Sequence, residues 1–139
     1  MRMDKIFTSL GLMSGTSMDG VDVSIIQSDG NTDYSIILDR YFSYDNKFRT
    51  NLIKLRSKIL YANDLKLYSR EIKEIERELT IIHAKIVKEI LEEANINIDF
   101  IGFHGQTIFH DSKIKLSKQI GDGKLLSQMT KKTVIYDFR

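Results

Sequence analysis

The stretch GLMSGTSMDGVD, residues Gly11–Asp22, decides the fold of the first third of the chain because it separates two apolar segments. Residues 6–13 form an apolar run that ends in this Gly/Ser/Thr cluster, which predicts a buried strand followed by a turn. Residues 21–26 place Val or Ile at every second position, which predicts a second strand paired with the first. Another turn at 28–31 and the Ile-, Tyr- and Phe-rich segment 34–44 extend the prediction to a three-stranded antiparallel meander.

The same stretch can also carry chemistry. Gly15 and Gly20 flank hydroxyl side chains and Asp19 in a short turn. Glycine lets a ligand approach the backbone closely, and the neighbouring N–H groups and hydroxyls can bond phosphate oxygens. The turn contains no lysine, so it is not a GxxxxGK[ST] phosphate loop. In this interpretation Asp19 and Asp22 are candidates for water-mediated Mg²⁺ binding. The alternative is a hairpin turn that needs Gly and Asp only for their backbone angles.

The middle of the chain is predicted to be helical. Residues 52–60 give a short amphipathic segment, and from Tyr68 to Ile90 apolar residues recur at spacings of three and four. This pattern predicts one long helix over 64–94 with a single apolar stripe. We favour a packed surface helix over a coiled coil because the stripe covers few heptads. The pattern leaves open whether the stripe packs internally or on a second copy of the chain.

The last third is predicted to return to strands. Phe100–His104 is a short apolar run, and a hairpin is predicted within residues 107–120. Residues 122–129 are predicted to form a short helix with Asp122 as its N-cap, followed by a strand at 133–136. Strands and helices in this order indicate an α/β domain.

Polar residues follow two of these predicted strands. The segment His104–Thr107 can offer donors and acceptors to the hydroxyls of a sugar, although a histidine at a strand end is more often structural. Asp137 follows the last strand, where a carboxylate can act as a general base or simply form a turn. His83 and His110 have no partner at metal-ligand spacing, so we expect no metal site built from histidines.

The composition excludes several classes of protein. The 139 residues include no cysteine, which excludes disulfide scaffolds and cysteine-ligated metal sites. The 21 basic and 19 acidic side chains nearly cancel, which argues against nucleic acid as a partner. No apolar run approaches the ~20 residues of a membrane helix, and the N-terminus has no signal-peptide pattern. We therefore expect a cytoplasmic protein without a membrane partner.

Three segments together resemble the anhydro-N-acetylmuramic acid kinase family. They are residues 11–22 (GLMSGTSMDGVD), 101–107 (IGFHGQT) and 119–139 (QIGD…TVIYDFR), in the family's order and rough spacing. Gly123 is a departure, because the family usually has a proline after Gly-Asp. The resemblance implies an α/β fold of the actin/hexokinase-like (ribonuclease H-like) ATPase type, with a mixed sheet and flanking helices. In that fold residues 1–139 would form a single N-terminal lobe of a two-lobed protein.

The resemblance also implies an activity. The family uses ATP and water to convert 1,6-anhydro-N-acetylmuramic acid into N-acetylmuramic acid 6-phosphate during recycling of cell-wall peptidoglycan. Asp137 matches the catalytic aspartate, which would draw a proton from water. The residues implied in ATP binding are Gly15, Thr16, Ser17, Met18, Asp19, Gly20, Val21 and Asp22. The residues implied in sugar binding are His104, Gly105, Gln106 and Thr107. Mg²⁺ is expected with ATP, and we assign it to Asp19 because Met13 occupies the place where many related proteins have an aspartate.

The family pattern continues beyond this chain. Its members go on past Asp-Phe-Arg into a Gly-rich stretch and a second lobe that carries the adenosine pocket. We therefore expect either the N-terminal part of a larger protein or a truncated gene product, and the length of 139 residues favours truncation. The candidate partner is a separate C-terminal lobe or, in a homodimer, a second copy of the chain. The alternative to a kinase lobe is a non-catalytic remnant or interaction module of the same fold, with apolar surface exposed where a second lobe would dock.

Overall fold

A computed structural model describes residues 5–139. The strands are β1 (Phe7–Ser14), β2 (Gly20–Ser28), β3 (Tyr34–Ser43), β4 (Phe100–Asp111), β5 (Leu116–Ile120) and β6 (Val134–Tyr136). The helices are α1 (Asn46–Lys58), α2 (Asp64–Leu67), α3 (Ser69–Ala94) and α4 (Gly123–Thr130). Residues 1–4 lie outside the described part of the chain.

Within residues 5–139 the strands form one mixed sheet with the order β3-β2-β1-β4-β5, and β6 also pairs with β4. The predicted antiparallel meander is confirmed, since β1 pairs with β2 and β2 pairs with β3 in antiparallel registers. β1 is parallel to β4, and β4 is parallel to β6. This mixed sheet with its helices confirms the predicted fold class, the actin/hexokinase-like ATPase type.

Two segments predicted as separate strands form a single strand, β4, which bends at Gly105. Before the bend β4 pairs with β6, and after it β4 pairs with β5. Gly105 has a φ of +75°, and a Cβ added there would lie 2.2 Å from the carbonyl oxygen of Ile120. A side chain at this position would therefore clash with the neighbouring backbone, so only glycine permits the bend.

The long helix predicted for 64–94 is wrong at Tyr68, where it breaks into α2 and α3. Tyr68 has φ −102° and ψ 20°, outside the helical region. The Asp64 carboxylate accepts hydrogen bonds from the N–H groups of Leu60 and Tyr61, each at 2.9 Å, which fixes a separate short turn before the break. The other helix starts follow the expected chemistry: Asp45 and Asp122 cap α1 and α4 through their side chains.

The apolar stripe of α3 packs inside the chain. Its residues belong to the same buried cluster as Leu10 of β1 and Ile101 of β4, which confirms a packed helix rather than a free coiled-coil seam. The buried residues of α3 are Ile72, Ile75, Leu79, Thr80, His83, Ala84, Ile86, Val87 and Ile90. No helix of the described residues has the length and apolar character that a membrane crossing requires.

The opposite face of the central strands is less covered. Along β1, Leu10 and Leu12 are buried whereas Gly11 and Met13 are exposed. Near the end of the chain Ile135 and Phe138 are also exposed, at 45% and 55%. Apolar side chains are therefore exposed on this face of the sheet and at its edge.

His83 is the one ionisable side chain that α3 places in the fully buried part of the described structure. Its Nδ1 lies 2.8 Å from the carbonyl oxygen of Leu79, so Nδ1 carries the proton and donates it. Its Nε2 is buried without a partner among the described residues, and its ring lies 5.0 Å from the ring of Phe103. A second proton would place an unsolvated charge there, so burial lowers the pKa of His83 to about 4.

This pKa predicts an acid-dependent loss of stability. Below the ordinary pKa of 6.5 the unfolded chain binds a proton at His83 that the folded chain excludes until about pH 4. The free energy of unfolding should therefore fall over this window by at most about 1.4 kcal/mol per pH unit. Urea unfolding at pH ~7 and ~5 should show wild type losing about 2 kcal/mol more than His83→Leu. The exposed His110→Gln serves as the control, and an equal loss in wild type and His83→Leu would refute the assignment.

Candidate functional site

The turn after β1 and Asp137 after β6 lie at the same edge of the sheet. β1, β4 and β6 are mutually parallel, so β1 and β6 end at the same edge. The register pairs Ser14 with Gln106 and Phe103 with Tyr136, which brings both strand ends beside the middle of β4. The topology therefore assembles the three sequence segments that the motifs singled out.

The turn at residues 15–19 joins two adjacent antiparallel strands, as predicted. Met18 has a φ of +57° and a fully buried side chain, and its N–H donates to the carbonyl oxygen of Gly15 at 3.1 Å. Thr16 and Ser17 are exposed, and their backbone N–H groups have no acceptor within residues 5–139. Two free N–H groups with adjacent hydroxyls form a surface suited to an anion.

Two further contacts fix the end of the turn. The N–H of Tyr44 donates to the carbonyl oxygen of Asp19 at 2.8 Å, and the Asp19 carboxylate pairs with Arg49 at 2.8 Å. At Gly20 an added Cβ would lie 2.1 Å from the carbonyl oxygen of Phe42, so this glycine is required by strand packing. Gly15 differs, because an added Cβ there would meet nothing within 4 Å. The space beside Gly15 is therefore open, and a ligand can approach the turn there.

A buried chain of hydrogen bonds supports the turn from below. The Tyr44 hydroxyl donates to Ser14 Oγ at 2.8 Å, and the Ser14 hydroxyl donates to Gln106 Oε1. Gln106 Nε2 then donates to the carbonyl oxygens of Gly15 at 3.0 Å and Thr107 at 3.2 Å. The two carbonyl oxygens can only accept, which determines the orientation of the amide and the direction of every bond in the chain.

Gln106 belongs to the segment predicted to bind a sugar. Its side chain is fully buried, and its amide hydrogen-bonds the backbone of the turn and of β4. Burial raises the pKa of Tyr44 to about 12, so its hydroxyl stays protonated and available as a donor. The sequence offers a signal for Gln106 and Ser14, which lie within motifs, but none for Tyr44.

Asp137 lies in a cavity of about 230 Å³ at the end of β6. Its φ of +65° is in the left-handed region, which aspartate tolerates better than most residues. The wall of this cavity also includes Gly105 and the polar side chains of Glu76, His104, Lys118, Gln119, Tyr136 and Arg139. The structure thus brings Asp137 together with His104 and Gly105 of the predicted sugar-facing segment.

The loop that closes this cavity is held by α3. The N–H of Gly121 donates to Glu76 Oε2 at 3.0 Å, and the N–H of Asp122 donates to Thr80 Oγ1 at 2.9 Å. The ring of Tyr136 occupies the space that a side chain at position 123 would fill, with ring atoms 2.3–2.7 Å from an added Cβ. Gly123 departs from the family pattern, and its lack of a side chain leaves room for the Tyr136 ring to pack over it.

His104 lines the cavity, and one of its ring nitrogens is buried without a hydrogen-bond partner among the described residues. Its Nδ1 lies 3.1 Å from the carbonyl oxygen of Gly105, so Nδ1 donates and Nε2 carries the free lone pair. Nε2 has no partner in the part of the chain that the structure describes. Thr107 is nearby but its Oγ1 already accepts from Gln119 Nε2 at 2.9 Å. His104 is therefore the member of the predicted sugar-binding segment whose side chain keeps an uncommitted acceptor, although that nitrogen is buried.

The candidate ligand for Mg²⁺ is a carboxylate of the turn, Asp19. Residues 5–139 contain no group of three or more His, Asp or Glu side chains that could enclose an ion. The Asp19 side chain is half exposed to solvent, and its Oδ1 pairs with Arg49 at 2.8 Å. Mg²⁺ keeps much of its hydration and takes ligands from bound phosphates, so a single carboxylate fits its donor requirements.

Comparisons with known proteins place this geometry in context. A family model described as anhydro-N-acetylmuramic acid kinase matches residues 7–139. A protein named anhydro-N-acetylmuramic acid kinase from Pelagibacter ubique is 58% identical over 137 residues. Proteins of the same name from Agrobacterium fabrum and Rhizobium etli are 39% and 40% identical over 140 residues. Each match covers 99% of this chain but 36% or 38% of the relative, so the chain spans little more than a third of their length.

The buried hydrogen-bond chain predicts a large cost for Gln106→Glu. The new carboxylate cannot donate to the Gly15 and Thr107 carbonyl oxygens, and it would be buried without a cation. We expect a loss of about 3 kcal/mol in the free energy of unfolding, with faster hydrogen exchange at the Met18 amide, which donates to Gly15. Urea unfolding and exchange measured by NMR provide the two readouts.

The matched control is Gln119→Glu, the same substitution at a half-exposed amide of β5. It should cost less than about 1 kcal/mol because water can solvate the new carboxylate. A Gln106→Glu variant no less stable than Gln119→Glu would show that the buried chain does not support the turn.

Proposed function

Because the chain belongs to the anhydro-N-acetylmuramic acid kinase family, we propose that it forms the N-terminal lobe of an ATP-dependent sugar kinase. The reaction would convert 1,6-anhydro-N-acetylmuramic acid, ATP and water into N-acetylmuramic acid 6-phosphate and ADP. Its place would be the recycling of peptidoglycan in the cytoplasm. The observation that carries the proposal is that the turn at 15–19 and Asp137 lie at one sheet edge, with His104 between them on β4.

Asp137 would act as the general base. Its carboxylate would accept a proton from water as the water oxygen bonds to the anomeric carbon of the sugar. The bond from that carbon to O6 breaks, and the freed O6 attacks the γ-phosphorus of ATP while the bond to the ADP oxygen breaks. Proton transfer to a positioned base contributes about 10²–10⁴-fold to such a step. Support comes from the position of Asp137 in a cavity shared with His104.

The turn would bind the ATP phosphates. The free N–H groups of Thr16 and Ser17 and their hydroxyls would face phosphate oxygens, and Met18 would hold the turn through its buried side chain. Phosphoryl transfer depends mainly on positioning and on stabilising the charge of the equatorial oxygens. The rigid support from Gln106 therefore bears directly on the rate.

Asp19 would hold Mg²⁺ through water at the outer side of the turn, since its carboxylate is half exposed. When bound, Mg²⁺ neutralises charge on the transferring phosphoryl group. The start of β2 would contribute to ATP binding through the backbone of Gly20, Val21 and Asp22. Backbone contacts are expected there because Gly20 and Val21 are buried.

A second candidate function is a non-catalytic module of the same fold. The observation that favours it is the exposed apolar surface of the sheet, which includes Met13, Ile135 and Phe138, since an interaction module needs such a surface. A lobe of this kind presents one side of a cleft, and the adenosine pocket would come from the remaining part or from a separate lobe. The two functions differ in whether activity appears when that part is supplied.

For Asp137→Asn we predict loss of turnover without loss of sugar binding. The test joins this chain to the part of the Pelagibacter ubique relative that it does not cover, giving what we call the completed protein. In the completed protein the kcat should fall by at least about 10²-fold, because the amide cannot accept the proton. The KM for the sugar should change little. Asp33→Asn, in the exposed loop between β2 and β3, is the matched control, and retained turnover in Asp137→Asn would remove this residue from the base role.

For the 139-residue chain alone we predict no measurable kinase activity. Water would remain in the half-formed site and screen the charges that stabilise the transition state. Production of ADP and sugar phosphate should be absent with the chain alone and present with the completed protein under the same conditions. Robust phosphorylation by the chain alone would contradict the half-site account, and an inactive completed protein would favour the non-catalytic module.

A further inference from the structure

Glu76 of α3 and Asp137 are the two carboxylate side chains that line the cavity at the end of β6 in the described structure. Glu76 is half-buried, and no cationic side chain within residues 5–139 forms an ion pair with it. Its Oε2 instead accepts a hydrogen bond from the backbone N–H of Gly121 at 3.0 Å. Because a partly desolvated acid without a cation costs stability, the position of Glu76 requires an explanation other than charge pairing.

Glu76 and Thr80 hold two successive N–H groups of one loop. Thr80 Oγ1 accepts from the N–H of Asp122 at 2.9 Å, and the Thr80 hydroxyl donates to the carbonyl oxygen of Glu76 at 2.7 Å. The two residues are four positions apart, so their side chains lie on the same face of α3. Thr80 is fully buried. The loop at 120–122 is therefore attached to the helix at two adjacent points.

The same loop packs directly against the bend of β4. An added Cβ at Gly105 would lie 2.2 Å from the carbonyl oxygen of Ile120, and an added Cβ at Gly121 would lie 2.7 Å from the ring of Phe103. Both glycines have a positive φ, +75° and +149°. Since neither position has room for a side chain, the backbones of the loop and of the bend are in contact. A displacement of the loop is therefore transmitted to the bend.

The bend carries two residues of the candidate site. Gly105 lies between His104, which lines the cavity at the end of β6, and Gln106, whose amide supports the turn after β1. Contacts thus run without interruption from α3 through the loop at 120–122 and the bend of β4 to the turn at 15–19.

We propose that Glu76 is a positioning residue of the candidate site. By holding the N–H of Gly121 it fixes the bend of β4 and, through Gln106, the conformation of the turn at 15–19. The proposal rests on the proposed function, because it concerns the alignment of the same site. Misplacement of reacting groups by about 1 Å through a distant substitution costs up to about 10²-fold in rate.

The first test measures kinetics in the completed protein. Glu76→Ala should lower kcat about ten-fold and change the KM for ATP and for the sugar by less than about two-fold, because Glu76 acts through the loop and not on the ligands. Glu76→Gln should retain a kcat close to that of wild type, since its amide oxygen can accept the same N–H. Glu78→Ala removes an exposed acid from the same helix and should leave kcat and KM unchanged.

The second test uses the side-chain amide of Gln106 in the NMR spectrum of the 139-residue chain. Glu76→Ala should shift this resonance and that of the Met18 backbone amide, whereas Glu76→Gln and Glu78→Ala should leave both close to their wild-type positions. Thr80→Val nearly keeps the shape of the side chain but removes the second acceptor, so it should shift the same two resonances. This variant tests the contact even if Glu76→Ala does not fold.

Three results would overturn the proposal. The first is a Glu76→Ala variant that matches Glu78→Ala in both kcat and NMR spectrum. The second is a Glu76→Gln variant as impaired as Glu76→Ala, because the charge rather than the held N–H would then matter. The third is a raised KM with unchanged kcat in Glu76→Ala, because Glu76 would then contact a ligand. The proposed function fails separately: an inactive completed protein would refute the kinase, and the NMR shifts would then decide the role of Glu76.

Discussion

The buried amide of Gln106 is the contact on which the candidate site depends. It joins three segments that are distant along the chain: Ser14 at the end of β1, the Gly15 carbonyl of the turn, and β4 itself. Through Ser14 it also reaches Tyr44, next to α1. A buried polar group without a partner costs as much as a well-packed apolar side chain contributes, so all members of this chain must be satisfied together. The turn therefore has one well-determined conformation before any ligand arrives.

In this arrangement the residues that hold the turn in place differ from those exposed to a ligand. Met18 and Gln106 point inward and hold the turn, while Thr16, Ser17 and Asp19 remain exposed. Beside β4, His104 lines both the cavity that contains Asp137 and a second cavity that is lined by Thr16 and Arg56. A kinase lobe needs these properties because phosphoryl transfer is limited by alignment, and alignment requires groups that do not move when the ligand binds.

Much of the fold could be predicted from periodicity, and the exceptions have physical causes. The meander and the capped helix α4 follow from alternation and from Asp122, which are local signals. The sequence does not indicate the break at Tyr68, because this residue continues the apolar spacing of α3. The motifs identified the segments of the site but not the inward orientation of Gln106, because its partner Gly15 lies 91 residues away. Long-range hydrogen bonds of this kind leave no pattern in a single sequence.

The central claim is that the turn at 15–19 and Asp137 form one half of a phosphoryl-transfer site. The most direct test is a crystal structure of the completed protein with ADP and the anhydro sugar. The account predicts nucleotide phosphate oxygens about 3 Å from the N–H groups of Thr16 and Ser17, with the anomeric carbon of the sugar facing the Asp137 carboxylate across one water. Phosphates bound away from this turn, or a sugar bound away from Asp137, would contradict it.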